Sequence, residues 1–331
     1  MWRYYYTIIT NIFTILKVVK KMEEIIKHSE EHPDEYNEES NYRYVQHIVD
    51  LMQKTGHIKT EVFGHENLPK EGGYMMYPNH QGKYDAYGLI SVHEQPCTVV
   101  MDIKKSNYIF IKQILDTLKG KRLDKENNRQ AMRIINEIAE EVKQGRRYIL
   151  FPEGTYDNKK KNSLIHFKSG CFKICLKSKA PIVPVALIDS YKVYNSWDIG
   201  EVKTQVHFLE PIFYDEYKDM NTHQIADLVK TKIAIKLKEI TNQKEKNMIE
   251  IKFDKEKKQS VAYDNNIKIG ECDYIESEQG WNIIHTEVDS SHQGQGIARK
   301  LVESIIENAE KYNKNIIADC SYAKKVIENK K

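Results

Sequence analysis

A histidine and an aspartate lie close together directly after a strand-like run of the sequence. The run GGYMMYP ends at Pro78, and His80 and Asp85 follow with four residues between them. After a strand of an open α/β sheet, this spacing lets the carboxylate accept a hydrogen bond from one ring nitrogen. The other nitrogen then becomes basic enough to take a proton from a substrate alcohol. The spacing alone is also compatible with a surface histidine beside a solvated aspartate.

A second turn with chemical potential follows another buried run. Glu153, Gly154 and Thr155 come directly after RYILFP. Such a turn exposes backbone N–H groups and a hydroxyl, which together suit a phosphate group. An ordinary connection between a strand and a loop is the alternative interpretation.

The elements around these turns alternate between strand and helix. Apolar strand candidates are IKTEVFG, YMMYP, CTVVMD, RYILFP, PIVPVAL and TQVHFLEPI. Helical patterns cover residues 86–92, 108–119, 129–143, 167–178 and the stretch NTHQIADLVKTKIAIKLKEI. This alternation predicts an α/β domain with a largely parallel sheet, residues 58–240.

The N-terminal residues 1–57 are predicted to form two helices that associate with a membrane. Residues 4–16 are uncharged, which is shorter than the roughly 20 residues of a spanning helix. No small-residue cleavage site follows, so we do not expect a signal peptide. The apolar face of the first helix comprises Tyr5, Ile8, Ile9, Ile12, Phe13, Leu16 and Val19. Aromatic residues at the start and lysines at the end favour a helix in the membrane interface, and a core helix is the alternative. The second helix is predicted over residues 42–55.

Charge and cysteine content exclude several functional classes. The 51 basic and 48 acidic residues give a net charge of +3, which argues against nucleic-acid binding driven by bulk charge. The five cysteines are odd in number and contain no C-x-x-C pair, which argues against a disulfide framework or a zinc site. A reduced, cytoplasmic setting is the simplest interpretation.

Four ordered blocks make residues 1–240 similar to a known family. The blocks are Asn79-His80-x4-Asp85, KGKRLDKENNRQ at 119–130, FPEGT at 151–155 and APIVPVAL at 180–187. They resemble those of the PlsC-type glycerolipid acyltransferases. The resemblance implies transfer of a fatty acyl group from acyl carrier protein or coenzyme A to 1-acylglycerol-3-phosphate (lysophosphatidic acid), giving phosphatidic acid. It also implies a peripheral position on the cytoplasmic side of the cell membrane.

The same resemblance implies the role of each site residue. His80 is the general base and Asp85 orients it, without a metal or a permanently bound cofactor. Pro184 belongs to the acyl-binding wall. The glycerophosphate head is held by Glu153, Gly154, Thr155, Arg122 and Lys125.

Two departures from the family pattern leave the acceptor open. Tyr156 follows EGT where the family usually has arginine, and Arg122 and Lys125 replace an aromatic residue and an arginine in the second block. Lysine lacks the bidentate fork of arginine. Arg129 or Lys168 could supply the missing cation. Glycerol-3-phosphate and a lysoglycolipid therefore remain alternative acceptors.

A smaller domain is predicted over residues 248–331, after a charged linker at 241–247. Four strand candidates precede a turn that opens the helical pattern IARKLVESIIENAEKY, and NIIADC is a last strand. Backbone N–H groups at such a helix start can bind a pyrophosphate, and Gly296 permits close approach. The turn and the first helical residues are Gln293, Gly294, Gln295, Gly296, Ile297 and Ala298.

This domain is similar to the GCN5-related N-acetyltransferases in a small form. The resemblance makes Gln293 to Ala298 an acetyl-CoA pyrophosphate loop and puts Cys320 in the family's customary place. Cys320 is either an acyl-transfer nucleophile or a small buried residue. His285 and Glu287 have either a general-base or a structural role. A non-catalytic module that senses CoA or binds a partner is the alternative for the whole domain.

Overall fold

The computed structural model describes residues 3, 6, 7, 10, 12–108, 110–157, 160–195, 200–246 and 249–328, without the side chains of 243–246. The chain divides into two compact units, Met1–Lys238 and Glu239–Lys331. Within the described ranges, no helix has the length and apolar character needed to cross a bilayer.

The first unit contains a seven-stranded sheet in the order β1-β7-β6-β2-β5-β3-β4. Its strands are β1 Ile58–Phe63, β2 Met75–Pro78, β3 Thr98–Asp102, β4 Lys121–Leu123, β5 Tyr148–Ile149, β6 Ile182–Ile188 and β7 Val202–Phe208. All neighbouring pairs are parallel except β6 and β7, which are antiparallel. The predicted α/β fold with a largely parallel sheet is confirmed.

The helices predicted for the first unit are present with shifted ends, and two short helices, α7 and α8 below, were not predicted. The helices are α1 Ile12–Glu31, α2 Glu38–Gly56, α3 Asp85–Val92, α4 Ile111–Thr117, α5 Asn128–Lys143, α6 Lys173–Ser178, α7 Lys192–Asn195, α8 Tyr214–Tyr217 and α9 Thr222–Lys246, whose residues from Glu239 onward belong to the second unit. Short 3-10 turns are Pro33–Glu35, His65–Asn67 and Ser169–Phe172. α2 starts earlier than predicted because the Asn37 side chain accepts the Ser40 N–H and caps the helix.

The predicted linker at 241–247 is helical over the part that the structure describes. Residues 241–246 continue α9 as helix. They include lysine, glutamate and glutamine but no glycine or proline, so nothing in their types ends a helix. This charged stretch therefore lies close to the boundary between the two compact units, and the chain remains helical there.

The centre of the first sheet brings three strand ends together. β2 lies between β5 and β6, and its residues Met75, Met76 and Tyr77 are fully buried. The sequence of a parallel strand that is covered on both faces is a continuous apolar run, and MMY in β2 has this pattern. The carboxyl ends of β2, β5 and β6 consequently lie side by side at one edge of the sheet.

Helix α1 is divided between core and surface. Met22 is buried, and Val18 and Val19 pack against the core of the first unit. Ile12, Phe13 and Leu16 remain 42%, 79% and 59% exposed. The other members of the predicted apolar face, residues 5, 8 and 9, lie outside the described residues.

The second unit is a five-stranded sheet with helices. Its elements are β8 Glu250–Asp254, β9 Gln259–Asp264, β10 Ile267–Ser277, β11 Gly280–Val288, the 3-10 turn Ser290–His292, α10 Ile297–Lys311, β12 Ile316–Ala318 and α11 Ser321–Glu328. β8 to β11 form antiparallel neighbours, and β12 joins β11 in parallel. The apolar stripe of α10 is buried with Trp281 in the core of this unit. The four predicted strands, the helix and the last strand are confirmed.

Candidate active site

His80 and Asp85 form a hydrogen-bonded pair beyond the carboxyl end of β2. The imidazole Nδ1 lies 2.7 Å from Asp85 Oδ2. Because a carboxylate only accepts, Nδ1 carries the proton and the basic lone pair belongs to Nε2. Within the described ranges Nε2 has no hydrogen-bond partner, and the His80 side chain is 19% exposed. The pair can therefore accept a proton from a molecule that arrives from solvent.

The Asp85 carboxylate is completely withdrawn from water, with its side chain 0% exposed. Oδ2 also accepts the N–H groups of Gln81 at 2.5 Å and Gly82 at 2.9 Å. Oδ1 accepts the Ser190 hydroxyl at 2.6 Å. Asp85 is the first residue of α3, where the helix dipole favours a negative charge.

Two aromatic rings hold the imidazole in place. Phe151 stacks on His80 with ring centroids 4.3 Å apart, and Tyr156 meets it edge-on at 4.7 Å. The Lys105 Nζ lies 5.4 Å from the centre of the Tyr156 ring. Tyr156, which departs from the family pattern, therefore packs directly against the predicted base.

Glu153 joins the two predicted turns. Its buried carboxyl accepts the His80 backbone N–H at 3.1 Å. Burial raises the pKa of Glu153 to about 7, and the nearby Asp85 charge adds to this, although N–H groups of His80 and Ile165 oppose it. A carboxyl group does not attract a phosphate. The structure thus places Glu153 as the connection between the turns, and its predicted contact with phosphate stays a prediction.

Lysines surround the turn after Glu153. Gly154 has φ +67°, a left-handed conformation that favours glycine, and a Cβ there would lie 3.5 Å from Lys168 Nζ. Lys125 Nζ donates to the Gly154 carbonyl and pairs with Asp102 at 2.7 Å. Thr155 is exposed at the same turn.

Arg122 is engaged elsewhere. Its guanidinium pairs with Asp116 at 2.6 Å and donates to the Ser106 hydroxyl at 3.1 Å. Of the two predicted cations of the second block, the structure brings Lys125 to the Gly154 turn and holds Arg122 against Asp116.

Buried polar residues hold the strand ends of the site together, and two of them, Gln81 and Ser190, were not predicted. Asn79 pairs through its amide with both backbone groups of Leu187 on β6, at 3.1 and 2.7 Å. Gln81 and Ser190 are buried in the same region. The available signal was local: polar residues flank His80 in PNHQG, and Asp189-Ser190 follows the apolar run of β6.

The predicted pyrophosphate loop of the second unit has a left-handed backbone at its two glycines. Gly294 and Gly296 have φ +79° and +76°, and a Cβ on either would have no atom within 4 Å. Gly296 caps α10, a helix of 15 residues. The loop therefore faces open space at a helix start, where an anion can approach the backbone amides.

Cys320 differs from the buried cysteines. It precedes α11 and is partly exposed. Burial raises the pKa of its thiol, but the Ala323 and Tyr322 N–H groups and the Thr286 hydroxyl outweigh that effect, so the pKa lies below its ordinary value. By contrast, burial raises the pKa of Cys272 to about 12.

The predicted pair on β11 lies at the surface. His285 Nε2 is 3.4 Å from Glu287 Oε2, and both side chains are exposed. Both roles predicted for these two residues, general base and structural support, therefore stay predictions.

Comparison with known proteins supports two classes of domain. Residues 59–188 match the model of the Acyltransferase family, and residues 259–331 match the model of the GCN5-related N-acetyl-transferase family. Residues 59–188 are thus similar to an acyltransferase domain and residues 259–331 to a GCN5-related N-acetyltransferase domain, which confirms both resemblances over these residues.

Individual relatives that match the acyltransferase-like part of the chain share one enzyme name. The chain is 29% identical over 203 residues to the 1-acyl-sn-glycerol-3-phosphate acyltransferase of Saccharomyces cerevisiae, covering 59% of this chain and 64% of that protein. It is 30% identical over 188 residues to a chloroplastic enzyme of the same name from Brassica napus, covering 53% and 50%. The chain thus spans less than two thirds of each relative.

A solved structure shares the fold. The crystal structure of PlsC, the lysophosphatidic acid acyltransferase of Thermotoga maritima, superposes with a TM-score of 0.58 at 18% identity. The superposition covers 72% of this chain and 96% of that one.

Glu153→Gln is expected to remove one pH dependence of stability. The pKa of Glu153 is about 7 in the fold against an ordinary 4.5, so folding favours the protonated carboxyl. This contribution is fully present below about pH 4.5 and is lost as the pH rises through about 7, a change on the order of 3 kcal/mol. Glutamine mimics the neutral carboxyl and has no such loss.

Urea unfolding at about pH 4.5 and pH 8 measures the difference between this variant and the parent chain. The exposed Glu210→Gln serves as the control and should follow the parent at both pH values. If the free energy of unfolding changed equally with pH in the parent and in Glu153→Gln, the raised pKa of Glu153 would be contradicted.

Proposed function

We propose that the first unit is a 1-acylglycerol-3-phosphate O-acyltransferase of phospholipid biosynthesis. It moves a fatty acyl group from coenzyme A or acyl carrier protein to the free hydroxyl of lysophosphatidic acid, giving phosphatidic acid. The His80–Asp85 pair at the junction of β2, β5 and β6 is the observation that carries the proposal. We assign residues 1–57 to membrane association, 58–240 to this activity and 248–331 to the second domain.

The geometry supports direct transfer without a covalent intermediate on the protein. His80 Nε2 takes the hydroxyl proton, and the substrate oxygen attacks the thioester carbonyl carbon as the carbonyl π pair moves onto its oxygen. The tetrahedral species collapses, the C–S bond breaks, and the thiolate receives the proton from Nε2. Asp85 stabilises the imidazolium that exists between these steps.

The anionic head group of the acceptor would lie at the Gly154 turn. Lys125 and Lys168 supply positive charge there, and Thr155 supplies a hydroxyl. Because Tyr156 occupies the place of an arginine, recognition depends on lysine point charges. This favours keeping glycerol-3-phosphate and a lysoglycolipid as a second class of acceptor.

His80→Ala is expected to lower acyl transfer to lysophosphatidic acid by at least about a hundredfold, the usual size of a general-base contribution. Purified protein is incubated with lysophosphatidic acid, glycerol-3-phosphate or a lysoglycolipid and with acyl-CoA or acyl carrier protein donors. Mass spectrometry of the lipids gives the product and the preferred acceptor.

The matched control is His47→Ala, which removes an exposed histidine of α2 and should retain activity. Circular dichroism verifies that both variants fold. Near-normal turnover by His80→Ala would refute the mechanism.

We propose that α1 binds the cytoplasmic surface of the cell membrane, where the lipid substrate resides. Ile12, Phe13 and Leu16 form an exposed apolar surface, and the lysines 17, 20 and 21 that follow on this helix are exposed too. Apolar side chains next to lysines suit the interface between head groups and acyl chains.

The double variant Phe13→Glu with Leu16→Glu is expected to reduce flotation with liposomes severalfold, since charged groups resist burial in lipid. Vesicles with and without anionic lipid separate the apolar contribution from that of the lysines. Phe213→Glu alters another exposed aromatic residue and serves as the control. Equal flotation of parent and double variant would refute the assignment.

We propose that the second unit binds acetyl-CoA with its pyrophosphate on the loop from Gln293 to Ala298. The open, left-handed glycines at the start of α10 support this. Cys320, with its lowered pKa and partial exposure, is the candidate nucleophile of an acetyl transfer. A domain that senses CoA without catalysis is the second candidate, since His285 and Glu287 are exposed to solvent.

Gly296→Val is expected to weaken acetyl-CoA binding at least tenfold, since a β-branched residue does not adopt φ +76° without strain. Isothermal titration of the full chain with acetyl-CoA measures this. Lys257→Val, at an exposed turn of the second unit, should bind as the parent does. The absence of saturable heat with the parent chain, or unchanged binding by Gly296→Val, would contradict the assignment.

A further inference from the structure

The hydroxyl of Ser190 reaches Asp85 from the segment that follows β6, far along the chain. Ser190 lies two residues beyond the end of β6 and is 5% exposed. His80 and the two backbone N–H groups all approach Oδ2 of Asp85. In the described part of the chain, the 2.6 Å contact from Ser190 is the hydrogen bond that satisfies Oδ1.

The single proton of the Ser190 hydroxyl has two acceptors within reach. Asp85 Oδ1 lies at 2.6 Å and Gln81 Oε1 at 2.8 Å. Gln81 Oε1 already accepts the Ser190 backbone N–H at 3.0 Å. The carboxylate is charged and nearer, so it is the stronger acceptor and receives the proton.

Hydrogen bonds hold the Gln81 side chain in one orientation, and Gln81 in turn holds Ser190 in place. Its Nε2 donates to the Leu187 carbonyl at 2.8 Å and to Asn162 Oδ1 at 2.9 Å. This orientation leaves Oε1 toward Ser190. Asn162 in turn accepts the Asp189 N–H at 3.0 Å, so the bridge connects the turn after β2 to the end of β6.

We propose that Ser190 is a positioning residue that orients the Asp85 carboxylate toward His80. The inference rests on the proposed acyl transfer. Without the hydroxyl, Oδ1 would be a buried acceptor that has lost this hydrogen bond, which loosens the orientation of the carboxylate. A loosely held carboxylate orients His80 poorly, so acyl transfer would slow.

Ser190→Ala is therefore expected to lower kcat about tenfold with little change in KM, the effect of one lost hydrogen bond to a charge. Ser190→Thr retains the hydroxyl and should restore the rate. Ser163→Ala, an exposed serine, is the control and should match the parent.

A second measurement does not depend on turnover. In the full chain without substrate, the His80 Nδ1–H proton resonance reports its hydrogen bond to Asp85. It should move in Ser190→Ala and stay near the parent position in Ser190→Thr. If the parent acylates none of the acceptors while this resonance behaves as expected, the proposed function fails and the positioning contact stands.

Two results would overturn the proposal. One is a kcat and a His80 Nδ1–H resonance that are both unchanged in Ser190→Ala. The other is an equal loss in Ser190→Ala and Ser190→Thr, which would show that packing, rather than the hydroxyl, is what matters at this position.

Discussion

A carboxylate removed from water is the constraint on which the site depends. An ionised group without solvent is costly unless its lone pairs are all satisfied. The Asp85 carboxylate accepts hydrogen bonds from the imidazole of His80, two backbone N–H groups and the hydroxyl of Ser190. These donors come from the turn after β2 and from the end of β6. The pairing of those two strands is therefore a condition for the His80–Asp85 pair.

The two buried carboxyl groups of the site show how surroundings assign different roles. Asp85 has four hydrogen bonds, whereas Glu153 is buried with a pKa raised to about 7. The negative charge of one raises the cost of ionising the other, which is a general way to separate two acids. Glu153 can thus connect the strand ends without placing a full second charge beside His80.

The anion sites proposed for the two units differ in the groups that would hold the anion. In the first, lysine side chains surround a glycine turn, and their reach is adjustable. In the second, backbone amides at the start of α10 would make the contacts, and their geometry is set by Gly294 and Gly296. Flexible point charges tolerate several head groups, whereas a backbone cradle suits one pyrophosphate geometry.

The sequence by itself determined what depends on neighbouring residues: the strand and helix runs, the His80–Asp85 spacing and the glycine loop before α10. Only the tertiary structure decided which strands are neighbours. It placed β6 beside β2 and brought Ser190 to Asp85, 105 residues apart. It also reversed β7, added the short β4 and extended α9 through 241–246. Pairing between distant strands leaves no periodic signal in either partner, because each strand records its own burial and not the identity of its neighbour.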